Sequence, residues 1–459
     1  MTTPARVAVI DIGKTNAKLA LVDTATLAEI AVRTRPNTVL PGSPWPRFDL
    51  DGHWAFLLGG LAEMHNAHGI DAVSVTTHGA SAVLLDAEGR LAAPMLDYEH
   101  PGPDTVAAAY DAIRPDFAET GSPRLPMGLN LGAQLHWQFQ TDPDLRRRKA
   151  HVLTYPQYWG YRLTGEIASD VTSLGCHTDL WDPHRRRPSA LCDRLGIADK
   201  LAPPRLPGET LGTLSARVCA ETGMARGTPV AVGIHDSNAS LLPHLLRESA
   251  PFSVVSTGTW VVSMAVGGAG RTLDPARDTL VNVNAEGDPV PSARFMGGRE
   301  YETLRDDGPA PGERDLAAVL RAGPRLLPSV VRGSGPFPTA TARWTGPEPA
   351  GPERGAAVAI YLALMTATCL DLVGHRGTVL VEGPFARNAG YLDMLGAATG
   401  SPVRASAGVT GTSQGASLLV APNAARGHRP DLHRPTQPAE ALRRYAEAWM
   451  DEVRGAVAP

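Results

Sequence analysis

The sequence predicts an α/β protein of two lobes. A Gly-centred strand–turn–strand stands near the N-terminus, a second version recurs around Gly258, and strands alternate with helical stretches through the rest of the chain. At roughly 150 residues per domain, 459 residues suggest two or three domains, and 43% hydrophobic residues can build sizeable cores. With 43 Lys+Arg against 47 Asp+Glu the net charge is −4, so no basic surplus exists for a phosphate backbone, and no nucleic-acid partner is expected. Cys176, Cys192, Cys219 and Cys369 are far apart without metal-ligand spacing, and no basic-then-apolar leader opens the chain; the expectation is a reducing cytoplasm.

In chain order, Arg6–Ile12 is a β-branched strand, Gly13-Lys14-Thr15 a turn, and Asn16–Asp23 an alternating strand, which together predict a hairpin. Phe252–Thr257, Gly258-Thr259 and Val261–Val266 repeat that pattern, so Gly258 corresponds to Gly13. The expected division is residues 1–246, 247–425 and a 426–459 tail, with the boundary in the Pro-containing stretch Pro243–Pro251. Strands ending at Thr77 and Ile234 run into His78-Gly79 and His235-Asp236, and Thr378–Glu382 runs into Gly383-Pro384. Gly355–Leu370 is apolar nearly all round, which fits a buried core helix better than a membrane span; none is expected. Leu442, Tyr445, Ala446, Trp449, Met450 and Val453 share one face of a terminal helix, read as packing on a lobe, with a homodimer contact as the alternative. Residues 305–355, rich in Gly, Pro and Arg, predict loops and short helices.

Gly13-Lys14-Thr15 invites a P-loop reading, but Ala8 stands where that motif needs Gly, and the residues after Thr15 alternate as a strand instead of opening a helix. A turn between strands can still offer N–H groups and the Thr15 hydroxyl to phosphate oxygens, with Lys14 and Lys18 adding charge. Asp11 at the strand end suits Mg²⁺ held through water; the plain alternative is an Asp bonding its own turn.

Taken together, these motifs resemble the FGGY family of carbohydrate kinases, within the two-lobe actin/hexokinase/Hsp70-like (ribonuclease H-like) ATPase fold with an interlobe cleft. Asp11-x-Gly13-x-Thr15-Asn16-x-Lys18 is similar to the first phosphate motif and Ser256–Trp260 to the second. Glu382-Gly383-Pro384-x-x-x-Asn388 resembles the adenosine turn, Tyr155–Glu166 the sugar-side helix, and Gly411-x-x-x-Gly415-Ala416 a small-residue helix start. The resemblance covers about residues 6–420. Lys14 stands where the family often has Thr, Gln134 where a Lys is usual, and the sugar segment reads Leu96-Asp97-Tyr98-Glu99-His100.

The resemblance implies ATP and Mg²⁺, with Gly13, Lys14, Thr15, Asn16, Lys18, Gly258, Thr259, Gly383, Pro384 and Asn388 on the nucleotide and Asp11 and Asp236 on the metal. It implies a small sugar against His78, Gly79, Asp97, Tyr98, His235 and Asp236, with His78 donating to a substrate oxygen. Asp236 is the expected general base, since a sugar hydroxyl is a poor nucleophile at neutral pH. A ketopentose or 6-deoxyketohexose of the xylulose, rhamnulose or fuculose type is the expected acceptor. The alternatives are a nucleotide-switched ATPase or binding protein of the same fold and a regulator that has lost catalysis. A glycosidase carboxylate pair finds no support, because nothing in the sequence brings Glu382 and Asp97 together.

Overall fold

Strand Arg6–Ile12 of the computed structural model is buried at every residue after Arg6, which explains the apolar run Val7–Ile10 ahead of Asp11: both faces of the sheet are covered. The structure describes residues 3–306, 308–406, 411–425, 429 and 431–457. The chain forms two compact units, one of Met1–Arg247, Val281–Pro289 and Thr410–Gly427, the other of Glu248–Leu280, Val290–Val409 and His428–Pro459.

In the first unit the sheet order is Thr210–Thr213, Pro229–Ala231, Ala72–Thr77, Arg6–Ile12, Asn16–Asp23, Ala28–Pro36, with Ile234–His235 also on Ala72–Thr77. Arg6–Ile12 pairs antiparallel with Asn16–Asp23, Asp11 opposite Lys18, and parallel with Ala72–Thr77. Alternate residues serve opposite faces: Ala8, Ile10 and Ile12 meet helices Leu50–His68 and Tyr155–Thr164, while Val7 and Val9 meet Ala239, Leu242 and Ala416.

The second unit repeats this plan. Phe252–Thr257 pairs antiparallel with Val261–Val266 and parallel with Thr378–Glu382, and Pro289–Phe295 completes the antiparallel set. Helix Gly351–Leu372, the one helix among the described residues long and apolar enough to cross a membrane, is instead the core of this unit, packed with Val255, Phe295 and Leu395. The terminal helix Ala439–Val457 buries Leu442, Tyr445, Trp449 and Val453 in the same core, so that face is consumed within its own chain.

One expected boundary agrees with the structure and the single-cut division needs correction. The first cut falls between Arg247 and Glu248, inside the expected stretch Pro243–Pro251, after helix Asp236–Arg247, which runs through Pro243 because burial of Ala239, Leu241 and Leu242 outweighs the one backbone bond that proline removes. The division is not a single cut: Thr412–Ser417, expected in the second part, belongs to the first unit, where the Ser74 hydroxyl donates to Ala416 O and a Cβ on Gly415 would stand 1.8 Å from Ala239 O. Residue 426, the expected start of the tail, lies outside the described residues.

Candidate active site

Gly13 closes the first hairpin through its N–H to Asn16 O at 2.9 Å. The residues after Thr15 are strand, as the alternation requires, and no P-loop helix forms. Neither Gly13 nor Gly258 has a left-handed φ, and a Cβ on either would meet its nearest described neighbour at 3.7 Å or 3.8 Å, so the fold itself does not demand glycine at these exposed or half-exposed turns. Open space above a bare backbone is what close approach of a phosphate requires.

The first turn has polar backing that sequence reasoning missed. The Asn37 side chain donates to Gly13 O at 2.8 Å and its backbone N–H to Thr15 O at 2.9 Å. His53, wholly buried, stands 2.8 Å from Asn37 Oδ1 through Nε2, while Arg35 Nη1 lies 2.9 Å from its Nδ1 and pairs with Asp49. Arg35 can only donate, so Nδ1 accepts and Nε2–H donates to Asn37. Burial, with Arg35 adding to it, holds His53 down to about 4, neutral as this arrangement needs. Asn37 and His53 are scattered polar residues without motif spacing, which is why no pattern exposed them.

Asp11, 8% exposed, stands one residue before the end of its strand, with Oδ2 accepting from Thr412 at 2.5 Å and Ser413 at 2.9 Å, and Lys18 Nζ 3.5 Å away. The Gly411–Ala416 motif was legible as a small-residue helix start; its two hydroxyls are the part that matters to Asp11. Lys18 also pairs with Glu29 at 3.0 Å. Thr15 and Asn16 are exposed, the Asn16 amide donating to the Thr15 hydroxyl at 3.2 Å. Among the described residues no group of three His, Cys, Asp or Glu can hold a metal.

Lys14, expected on the phosphates, lies against the sugar segment. Its ammonium is ion-paired with Asp97 and stands 3.1 Å from Glu99, 4.7 Å from the Tyr98 ring centroid and 5.2 Å from that of Phe48. The side chain reaches the sugar segment because two carboxylates and two ring faces converge there.

Asp236 is the first residue of helix Asp236–Arg247, its Oδ1 accepting the Ser237 N–H at 2.6 Å. Desolvation raises its carboxyl to about 6; His78 and the Ser237 N–H oppose that rise, and Asp11 adds to it. About a third of the Asp236 side chain, 30%, still meets solvent, so the carboxyl is reachable from outside. His235 Nε2 stands 3.1 Å from Asp236 Oδ1 and 3.6 Å from Cys176 Sγ, and Asn238 Nδ2 lies 3.4 Å from Nδ1. The Asn amide is a donor, so the proton of His235 sits on Nε2, facing Asp236. Desolvation keeps His235 near 4 and therefore neutral.

His78 is 5% exposed among Phe48, Tyr98 and Tyr155, with ring centroids at 5.3, 5.2 and 5.1 Å. Its Nδ1 donates to Gly79 O at 2.9 Å, and burial above all holds it near 4, so the ring is neutral. This reverses the expected donor role. Nε2 is left as a buried acceptor without a partner among the described residues. Gly79 is glycine because a Cβ there would stand 2.8 Å from His235 Nε2; its part is clearance for that ring.

Two supports of this cluster also went unread. Buried Asp170 accepts the N–H groups of Thr172 and Ser173, and the Thr172 hydroxyl, bonded to Asp170, accepts the His235 N–H at 3.0 Å. Gln134 donates to Ala80 O at 2.5 Å and to Gly128 O, pinning the loop after Gly79 where Ala80 has φ 52°.

In the second unit a cavity of about 740 Å³ is lined by Gly258, Thr259, Gly298, Pro384 and Asn388, with Tyr301, Phe385 and Ala356 among its walls. Thr257 Oγ1 donates to Glu382 O at 2.5 Å and accepts the Phe385 N–H at 3.1 Å, tying the second turn to the adenosine-like turn. Gly383, at φ 81°, could carry no side chain, since a Cβ would stand 2.0 Å from Thr257 O. Asn388 caps helix Ala389–Thr399, its Oδ1 accepting the Tyr391 N–H at 3.0 Å, which leaves its amide as donor. Size and lining both suit a nucleoside with phosphates at the Gly258 end. Arg299 and Arg387, also at the cavity, were not foreseen.

Comparison with known proteins is consistent with this arrangement. The chain is 38% identical to the carbohydrate kinase from Novosphingobium aromaticivorans, whose crystal structure it matches with a TM-score of 0.90 over 99% of this chain and 100% of that one. It is 27% identical over 268 residues to the L-fuculokinase of Salmonella typhi, covering 57% of this chain and 56% of that protein. With the rhamnulokinase of Pectobacterium atrosepticum it shares 29% over 270 residues, 55% of this chain and 51% of the relative. The chain thus spans about half the length of the curated relatives it matches. The fold is the two-domain actin/hexokinase-like α/β fold. Residues 7–243 match the N-terminal domain of the FGGY family of carbohydrate kinases and residues 249–429 the C-terminal domain of carbohydrate kinase FGGY. Two paired domain matches in order, over a cluster in which a carboxylate, two neutral histidines and a bare glycine turn meet, have one reading: the chain belongs to the FGGY family of carbohydrate kinases.

Proposed function

We propose that this protein is an ATP-dependent carbohydrate kinase that moves the γ-phosphoryl group to a hydroxyl of a small sugar, a ketopentose or 6-deoxyketohexose of the xylulose, rhamnulose or fuculose type. The observation that carries the reading is Asp236: a carboxylate 3.1 Å from His235 Nε2, raised by burial to about 6, in the same cluster as a buried histidine with an open acceptor nitrogen. A base of that strength is ionised at neutral pH and still takes a proton from a hydroxyl as the O–P bond forms. His78 Nε2 accepts a second sugar hydroxyl, and His235 Nε2–H holds the Asp236 carboxylate in place. The second-unit cavity takes the adenosine, with the Asn388 amide and the Gly258–Thr259 turn on its polar groups. Asp11, fixed by Thr412 and Ser413, and Asp236 are the metal-facing carboxylates; bound Mg²⁺ would neutralise charge on the phosphates. The alternative, a nucleotide switch, has no use for a raised carboxyl beside an acceptor histidine. A coupled ADP-release assay over ketoses, aldoses and polyols tests the proposal: one ketose subset should stimulate release strongly, and stimulation by none would refute it.

A further inference from the structure

We infer that Lys14 and Asp97 together form the acceptor-specificity element of this site, binding adjacent hydroxyls of a neutral polyhydroxylated substrate, and that Lys14 does not serve the nucleotide. The inference rests on the kinase reading above. A lysine in a glycine turn could neutralise a phosphate only with its ammonium free. Here Asp97 and Glu99 already hold it, and Asp97 is 9% exposed, so withdrawing Lys14 would leave a largely buried carboxylate unpaired.

What lies beyond the ammonium points to the acceptor. Lys14 faces the rings of Tyr98 and Phe48, and both rings flank His78, the histidine whose Nε2 lacks a partner. The charge of Asp236 is felt at both His78 and Tyr98, so ammonium, rings, acceptor nitrogen and base form one continuous cluster. An ammonium beside a carboxylate offers donors and acceptors a few ångströms apart. A vicinal diol matches that pair, one hydroxyl accepting from Lys14 and the other donating to Asp97. With Asp97, Glu99 and Asp236 all nearby, a substrate bearing its own carboxylate would meet like charge, whereas a neutral ketose or polyol would not.

The test compares wild type with Lys14→Met, Lys14→Arg and Asp97→Asn, measuring acceptor KM and ATP KM by ADP release and MgADP affinity by calorimetry. Lys14→Met and Asp97→Asn should raise acceptor KM about tenfold or more, with ATP KM and MgADP affinity within about twofold, and Lys14→Arg should recover part of the loss. Retained MgADP binding also shows that the variants fold. An unchanged acceptor KM, or MgADP binding weakened about tenfold in Lys14→Met, would overturn the inference. If no sugar stimulates wild type, the kinase reading falls separately. MgADP binding then still decides the second half, unchanged affinity keeping Lys14 off the nucleotide and a tenfold loss refuting it.

Discussion

The Gly13 and Gly258 turns have one backbone plan and opposite surroundings. Each joins antiparallel strands, each has a parallel strand on its far side, and neither glycine is required by its φ. Behind the first stand charges and polar groups: Asp11 with two hydroxyls, Asn37 with His53, Lys14 with two carboxylates. Behind the second stands volume, a cavity of about 740 Å³ walled by Leu316, Ala356, Ala359 and Phe385. On the proposed reading, two copies of a hairpin are put to different work, the first to proton and metal chemistry, the second to holding a flat nucleoside. A shared turn tells where a phosphate can approach; the side chains behind it tell what else happens there.

Substitutions can separate the two roles. The largest effect should come from Asp236→Asn in the first unit, lowering kcat by about 10²–10⁴; near-normal sugar phosphorylation would remove Asp236 as base. Next comes Gly298→Ala in the second unit, where a Cβ would stand 2.1 Å from Gly258 O. Thermal denaturation should show a loss of about 1–3 kcal/mol, and calorimetry a weaker MgADP, because the turn must shift. A stable variant with full MgADP affinity would show that the second turn does not set the nucleotide site. Smallest should be Asn37→Ala, which frees Gly13 O and strands the buried His53 Nε2–H, at about 1–2 kcal/mol in denaturant melts. No change there would make the polar backing of the first turn incidental.

Both turns, the repeated plan, the core helix 351–372 and the terminal helix were legible because each is written as local periodicity or as a short motif. His78, Gly79, Asp97, Tyr98, His235 and Asp236 were legible as neighbours by resemblance, and the structure brings them into one cluster with Lys14. What sequence could not supply was direction. Whether His78 donates or accepts is fixed by Gly79 O, and whether Lys14 meets phosphate or carboxylate is fixed by Asp97, 83 residues away. Thr412 and Ser413 reach Asp11 from some 400 positions along the chain, a contact no window of periodicity contains. Pro243, a strong local helix breaker, is carried inside helix Asp236–Arg247 by tertiary burial, and the boundary falls just after that helix.

The pH dependence of kcat/KM for the best acceptor sugar tests the central claim most directly. Burial raises Asp236 to about 6, and only its ionised form can take the hydroxyl proton, so activity should be full above that value and fall as pH drops through it. His78 and His235, neutral down to about 4, should not contribute to that limb. An acid limb centred near pH 6 in wild type and missing from the residual activity of Asp236→Asn is the predicted result. A profile flat to pH 5, or the same limb in the variant, would contradict it.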